Sequence, residues 1–113
     1  PFYVKKINME TPNLSYIYNM SGGDTAFEKK IINIIKMEFP LEKEEYLKNF
    51  KAKNFKLTAD NVHKLKHKIS ILGLDKSYEI ASAFENDLLK GNTSLNQEFK
   101  SILINITNYL QQL

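Results

Sequence analysis

Apolar residues recur along this chain at intervals of three and four, and hardly anywhere in strict alternation. That spacing places them along one side of a helix and not on one face of a strand. In "TPNLSYIYNM", Thr11 offers an N-cap and Pro12 a first helical position, with Leu14, Ile17 and Tyr18 on one side and Gly22-Gly23 as the stop. Asp24 caps a second segment, with Phe27, Ile31, Ile34 and Ile35 predicted inward. Leu41, Tyr46, Leu47 and Phe50 continue the pattern past Pro40. That leaves two readings, one long helix kinked at the proline or two abutting helices. "KAKNFKL" reads as a linker, and Thr58 as the next N-cap. The third major helix carries Val62, Leu65, Ile69 and Leu72 and ends near Gly73. The fourth runs from about Leu74 through Tyr78, Ala81, Phe84 and Leu88 to Gly91-Asn92. Ser94 and Gln97 have capping-box spacing at the start of the last, whose stripe is Leu95, Phe99, Ile102, Ile106, Tyr109 and Leu113.

Short connections between amphipathic helices imply antiparallel neighbours. The expected fold is all-α: an up-down antiparallel four-helix bundle with a short additional N-terminal helix. The 113 residues suit one domain, with a core over about 12–110 and residues 1–10 as a flanking segment. Such a bundle closes its core without a partner, so the expectation is a monomer. No apolar run approaches the roughly 18 residues that span a bilayer, and the start lacks a signal-peptide pattern. The first residue is not methionine, which reads as a fragment or a processed product. The absence of cysteine excludes disulfides, thiolate metal sites and a cysteine nucleophile, and fits a cytoplasmic location. A net charge of +3 is mild beside the clustered excess of nucleic-acid binders.

Candidate chemistry concentrates in "VHKLKHKISILG", which holds both histidines together with Lys64, Lys66 and Lys68. Helical rotation puts His63 about 140° from the centre of the Val62–Leu65–Ile69–Leu72 stripe. His63 is thus predicted on the outer face, with Lys66, His67 and Ser70 on the same side and Lys66 and His67 within side-chain reach. The plainest reading is a solvated basic face. A metal reading rests on histidines at i and i+4, but no third ligand is evident and the lysines repel a cation. A nucleic-acid reading rests on the lysines alone, in a chain with 13 acidic residues. The chemical reading makes His63 a phosphoryl acceptor. Imidazole is a nucleophile at neutral pH, and phosphoryl transfer asks mainly for in-line positioning and cations near the moving oxygens. Lys66 would supply that cation, and the exposed lysines would steer an acidic partner.

Val62, His63, Leu65, Lys66 and Gly73 also resemble the signature of histidine-containing phosphotransfer (HPt) domains. In that signature an alanine-like residue precedes the histidine, leucine and lysine follow at the second and third positions, and glycine falls ten residues on. "SGGDTAFEKKIINIIKMEFP" and "YEIASAFENDLLKGN" look like the flanking helices of the same family, so the resemblance covers roughly residues 12–110. It implies a phosphorelay intermediate that accepts a phosphoryl group on His63 from a receiver-domain aspartate and passes it to another receiver. It further implies Lys66 as electrostatic partner and Lys64, His67, Ser70 and Gly73 as docking and close-approach positions. The family is a carrier without its own ATP site, metal or cofactor; its partners are response-regulator receivers and hybrid histidine kinases, with no part for nucleic acid or membrane. One departure stands out. The family usually has glycine directly after the lysine, where this chain has His67. That residue motivates the alternatives that the domain docks receivers without transfer, or that His67 itself accepts phosphate; a basic nucleic-acid adaptor is the third.

Overall fold

The computed structural model describes residues 10–113, and all of the flanking segment except Glu10 lies outside them. Five helices follow in order: α1 Ser15–Ser21, α2 Thr25–Lys51, α3 Phe55–Ile71, α4 Asp75–Leu89 and α5 Asn96–Leu110. Among the described residues there is no strand. α2 to α5 form the antiparallel bundle and α1 is the short additional helix, as the periodicity predicts.

The boundaries correct several expectations. α1 begins at Ser15 and not at Pro12, because Asn13 Oδ1 accepts the Ser15 N–H while its own N–H is given to the Leu72 carbonyl at 2.9 Å. Asp24 does cap α2, accepting the Phe27 N–H at 3.0 Å. α2 is one unbroken helix of 27 residues, which settles the two readings of Pro40. Pro40 is exposed, so the hydrogen bond it removes is lost on the solvent side. The linker is also shorter than predicted: α3 starts at Phe55, and Thr58 is buried inside it, its hydroxyl donating to the Asn54 carbonyl. Ring contact of Phe55 with Phe50, at 6.1 Å between centroids, draws the two helix ends together over a turn that uses Lys53 at φ +59°. The capping box at Ser94 does not form. Leu95 occupies the N-cap without a side-chain cap, and the Ser94 N–H goes to Asn92 Oδ1.

The core turns on three rings. Tyr46 of α2 stands edge-on to Phe99 of α5 and Phe84 of α4, with centroids 5.0 and 6.2 Å away. Phe84 and Phe99 complete the triangle at 5.4 Å, and all three are buried. The Tyr46 hydroxyl donates to Asn96 Oδ1, and burial raises its pKa far above the ordinary phenol value. On α2 the inward residues are Ile35, Phe39 and Tyr46; Phe27, Ile34, Leu41 and Leu47, expected inside or on the same pattern, are exposed. Tyr78 and Leu113 are likewise exposed, and Leu110 is the last buried residue of α5.

A strap formed by residues 10–14 crosses the α3–α4 turn. Glu10 caps α4, accepting the backbone N–H groups of Lys76 and Ser77 at 3.0 and 2.9 Å, and its carbonyl accepts from Asn105 on α5. Burial pushes the Glu10 pKa up, but the two backbone N–H groups, the Ser77 hydroxyl and the Lys76 charge outweigh it and leave the carboxyl below the usual 4.5. A depressed folded pKa means that the stabilisation is full above the unfolded pKa and disappears as pH falls through the folded one. Because the carboxylate is largely solvated, its worth is small, about 0.5–1 kcal/mol at neutral pH. Urea denaturation of wild type and Glu10→Gln should therefore differ by that amount at neutral pH and converge as the pH falls from about 5 towards 2. A difference that persists unchanged in acid would remove the carboxylate's charge as its source.

Candidate functional site

The two helices that carry the site are joined by a short turn between Ile71 and Asp75. Gly73, at φ +76°, ends α3, with the Gly73 N–H bonded to the Ser70 carbonyl and the Leu74 N–H to the Ile69 carbonyl. A Cβ on Gly73 would fall 2.5 Å from Asn13 Nδ2, so glycine is needed here both for its backbone angle and for the strap above it. The turn sets the register of α3 against α4, placing residue 63 beside 85 and residue 66 beside 82.

His63 stands on the outer face, as its helical angle predicts, with its side chain 56% exposed. Its Nδ1 lies 3.1 Å from Glu85 Oε2. An ionised carboxylate only accepts, so this contact is a hydrogen bond when Nδ1 carries the proton. In the neutral ring with the proton on Nδ1, the opposite nitrogen, Nε2, keeps its lone pair. Lys66 takes the other oxygen of the same carboxylate, with Nζ 2.9 Å from Glu85 Oε1, and donates to Ser82 Oγ at 3.3 Å. Its ammonium also lies 5.2 Å from the centre of the Tyr78 ring. Only 14% of the Lys66 side chain is exposed, so the charge is held in place next to His63 and not waving in solvent. Glu85 thus bridges the imidazole and the ammonium.

The other residues of the motif separate by direction. His67 is exposed one turn on, its ring edge-to-face with His63 at 5.4 Å. Lys64 and Ser70 are exposed, and Gly73 belongs to the turn, about 15 Å along the helix from His63. Lys68 points the other way, into the α2–α3 interface, pairing with Glu38 at 2.8 Å and Glu42 at 3.2 Å. Burial would lower its pKa, yet the hydrogen bonds and charges of Glu38 and Glu42 hold it above the ordinary lysine value. Among the described residues no group of three histidine or carboxylate side chains is arranged to hold a metal ion, and no helix is long and apolar enough to cross a membrane. An open cavity of about 350 Å³ between α2 and α5, beside Pro40 and Leu110, includes none of these residues.

The sequence reading did not find Glu85, Ser82 or the role of Tyr78, which it assigned to the core. A signal existed: Tyr78, Ser82 and Glu85 fall at i, i+4 and i+7 along one edge of α4. Chemically, the arrangement can present an oriented imidazole nitrogen to an electrophile, with a fixed cation beside it. Comparison with known proteins adds no family: no protein-family model, curated protein or solved structure matches this chain.

Proposed function

We propose that this domain is a phosphocarrier of the HPt type, in which His63 accepts a phosphoryl group from a receiver-domain aspartate and hands it to another receiver in the cytoplasm. The observation that carries this reading is the Glu85 bridge: Glu85 holds Nδ1 of an exposed histidine while the same carboxylate fixes Lys66 beside it. In the transfer, Nε2 attacks phosphorus in line, a P–N bond forms, the P–O bond to the aspartyl carboxyl breaks, and the aspartate departs as carboxylate. Lys66 is the cation placed to stabilise the phosphoryl oxygens, and the exposed Lys64, His67 and Ser70 are the nearest surface for docking. The domain serves as substrate and carrier, with turnover left to its partners.

The test is label transfer from a phosphorylated receiver domain. Acid-labile, base-stable label should appear on wild type and vanish in His63→Gln, with the helical circular dichroism unchanged. Label that survives His63→Gln but is lost in His67→Gln would move the acceptor one turn along α3. A second reading, docking without transfer, is favoured by one feature. His67 stands edge-on to His63, where an approaching loop would meet it. Stable receiver binding with no label on wild type would select that reading.

A further inference from the structure

The structure weakens the electrostatic objection that the sequence raises to a metal ion at the two histidines. Of the three lysines that would repel a cation, Lys68 turns away into the α2–α3 interface and is held there by Glu38 and Glu42. Lys66 is neutralised by Glu85 at 2.9 Å. That leaves Lys64 and, one turn back on the same exposed face, Asp60 of opposite sign. The charged groups around the two rings, Asp60, Lys64, Lys66 and Glu85, therefore cancel.

What remains is the donor set. His63 and His67 are the chain's only histidines and lie one turn apart on α3, the spacing by which a helix offers two imidazoles to one ion. An ion about 2.1 Å from one nitrogen of each ring sits about 3.2 Å from each ring centre, and a tetrahedral angle then sets the centres about 5.2 Å apart. Here they are 5.4 Å apart. His63 also has its far nitrogen arranged as a metal ligand needs. With Nδ1–H given to Glu85, Nε2 carries the lone pair, and a carboxylate on the other nitrogen of a ligating imidazole fixes the ring and raises its basicity. His67 is exposed, and among the described residues neither of its nitrogens has a hydrogen-bond partner, so its ring is free to turn one of them towards Nε2. We propose that His63 and His67 form a binding site for a divalent late transition-metal ion of the kind imidazole takes, such as Zn²⁺, in preference to Mg²⁺ or Ca²⁺. Among the described residues no third side chain joins them, so water fills the other positions and the expected dissociation constant is modest, on the order of 10–100 µM. The site does not depend on the phosphocarrier reading. Where that reading holds, the ion takes the lone pair that attacks phosphorus, so metal and phosphoryl group exclude one another at His63.

The test is titration of ZnCl₂ into the untagged protein near neutral pH, followed by calorimetry and by the imidazole resonances of both histidines. Wild type should bind one ion per chain, with the resonances of the two rings moving together, and MgCl₂ at the same concentration should leave them in place. His63→Gln and His67→Gln should each keep the helical circular dichroism and weaken binding by about tenfold or more. Wild type that binds no Zn²⁺ below about 1 mM would overturn the inference. So would wild-type affinity in either single variant, since one imidazole or a carboxylate elsewhere would then suffice. One ion shared between two chains would overturn it as well, because the two rings of one helix would not be the ligand pair.

Discussion

Tyr46→Ala is expected to unfold much of the population at physiological temperature. The side chain is buried against Phe50 of its own helix, Phe84 and Phe99, and its hydroxyl reaches Asn96, so truncation removes contacts to both α4 and α5 in one step. Aromatic-to-alanine changes at such sites cost about 3–5 kcal/mol, against a total of about 5–15 kcal/mol for a domain. At about 4 °C per kcal/mol, the melting temperature should fall by roughly 12–20 °C. Tyr46→Phe separates the ring from the hydroxyl. It keeps the packing, leaves Asn96 without its donor, and should cost about 1 kcal/mol. Thermal and urea unfolding of the two variants measure both quantities. A Tyr46→Ala protein within 1 kcal/mol of wild type would remove Tyr46 from the centre of the core.

The second large effect concerns transfer more than stability. If His63 is the acceptor, Glu85→Ala frees its ring from the Nδ1 contact and frees Lys66 from its carboxylate, so the nucleophile is no longer held in one tautomer or orientation. The initial rate of label transfer to His63 should fall on the order of 10–100-fold, while the melting temperature falls by only about 4–8 °C, the loss expected when the partly buried Lys66 gives up its carboxylate partner. Glu85→Gln keeps an oxygen acceptor but loses the charge, so it should lie between wild type and alanine. Wild-type rates in Glu85→Ala would show that the bridge has no part in transfer, whatever its part in the fold.

α3 and α4 were legible because each has one apolar stripe and a glycine stop, and periodicity then leaves a single way to face a core. The outer position of His63 and the placing of Lys66 beside it followed from the same angle. α2 was not legible in this way. With Phe27, Ile34 and Leu41 on one side and Ile35, Phe39 and Tyr46 on the other, helical spacing identifies the helix but not the face that is buried. The missed helix starts at Ser15, Phe55 and Asn96 share a different cause. Local capping rules favour Thr11, Thr58 and Ser94, but the contacts that set the ends are Asn13 with Leu72, Phe55 with Phe50, and Tyr46 with Asn96. None of these is visible in a window of a few residues. Glu85 shares a helix edge with Tyr78 and Ser82 in the sequence, but placing that edge beside His63 requires the register of the α3–α4 pair.

That register has a consequence for the order in which the chain closes on itself. His63, Lys66, Ser82 and Glu85 lie within one helical hairpin, and the loop that joins its helices is short. The strap contact from Glu10 to Ser77 closes a segment of 67 residues, and the Glu10 carbonyl contact with Asn105 closes 95. Closure entropy rises with loop length, so the hairpin is among the least costly parts of the molecule to assemble and the strap among the most costly. The reactive constellation is therefore a local product of the chain, complete before the N-terminal segment is fastened across the turn at Gly73.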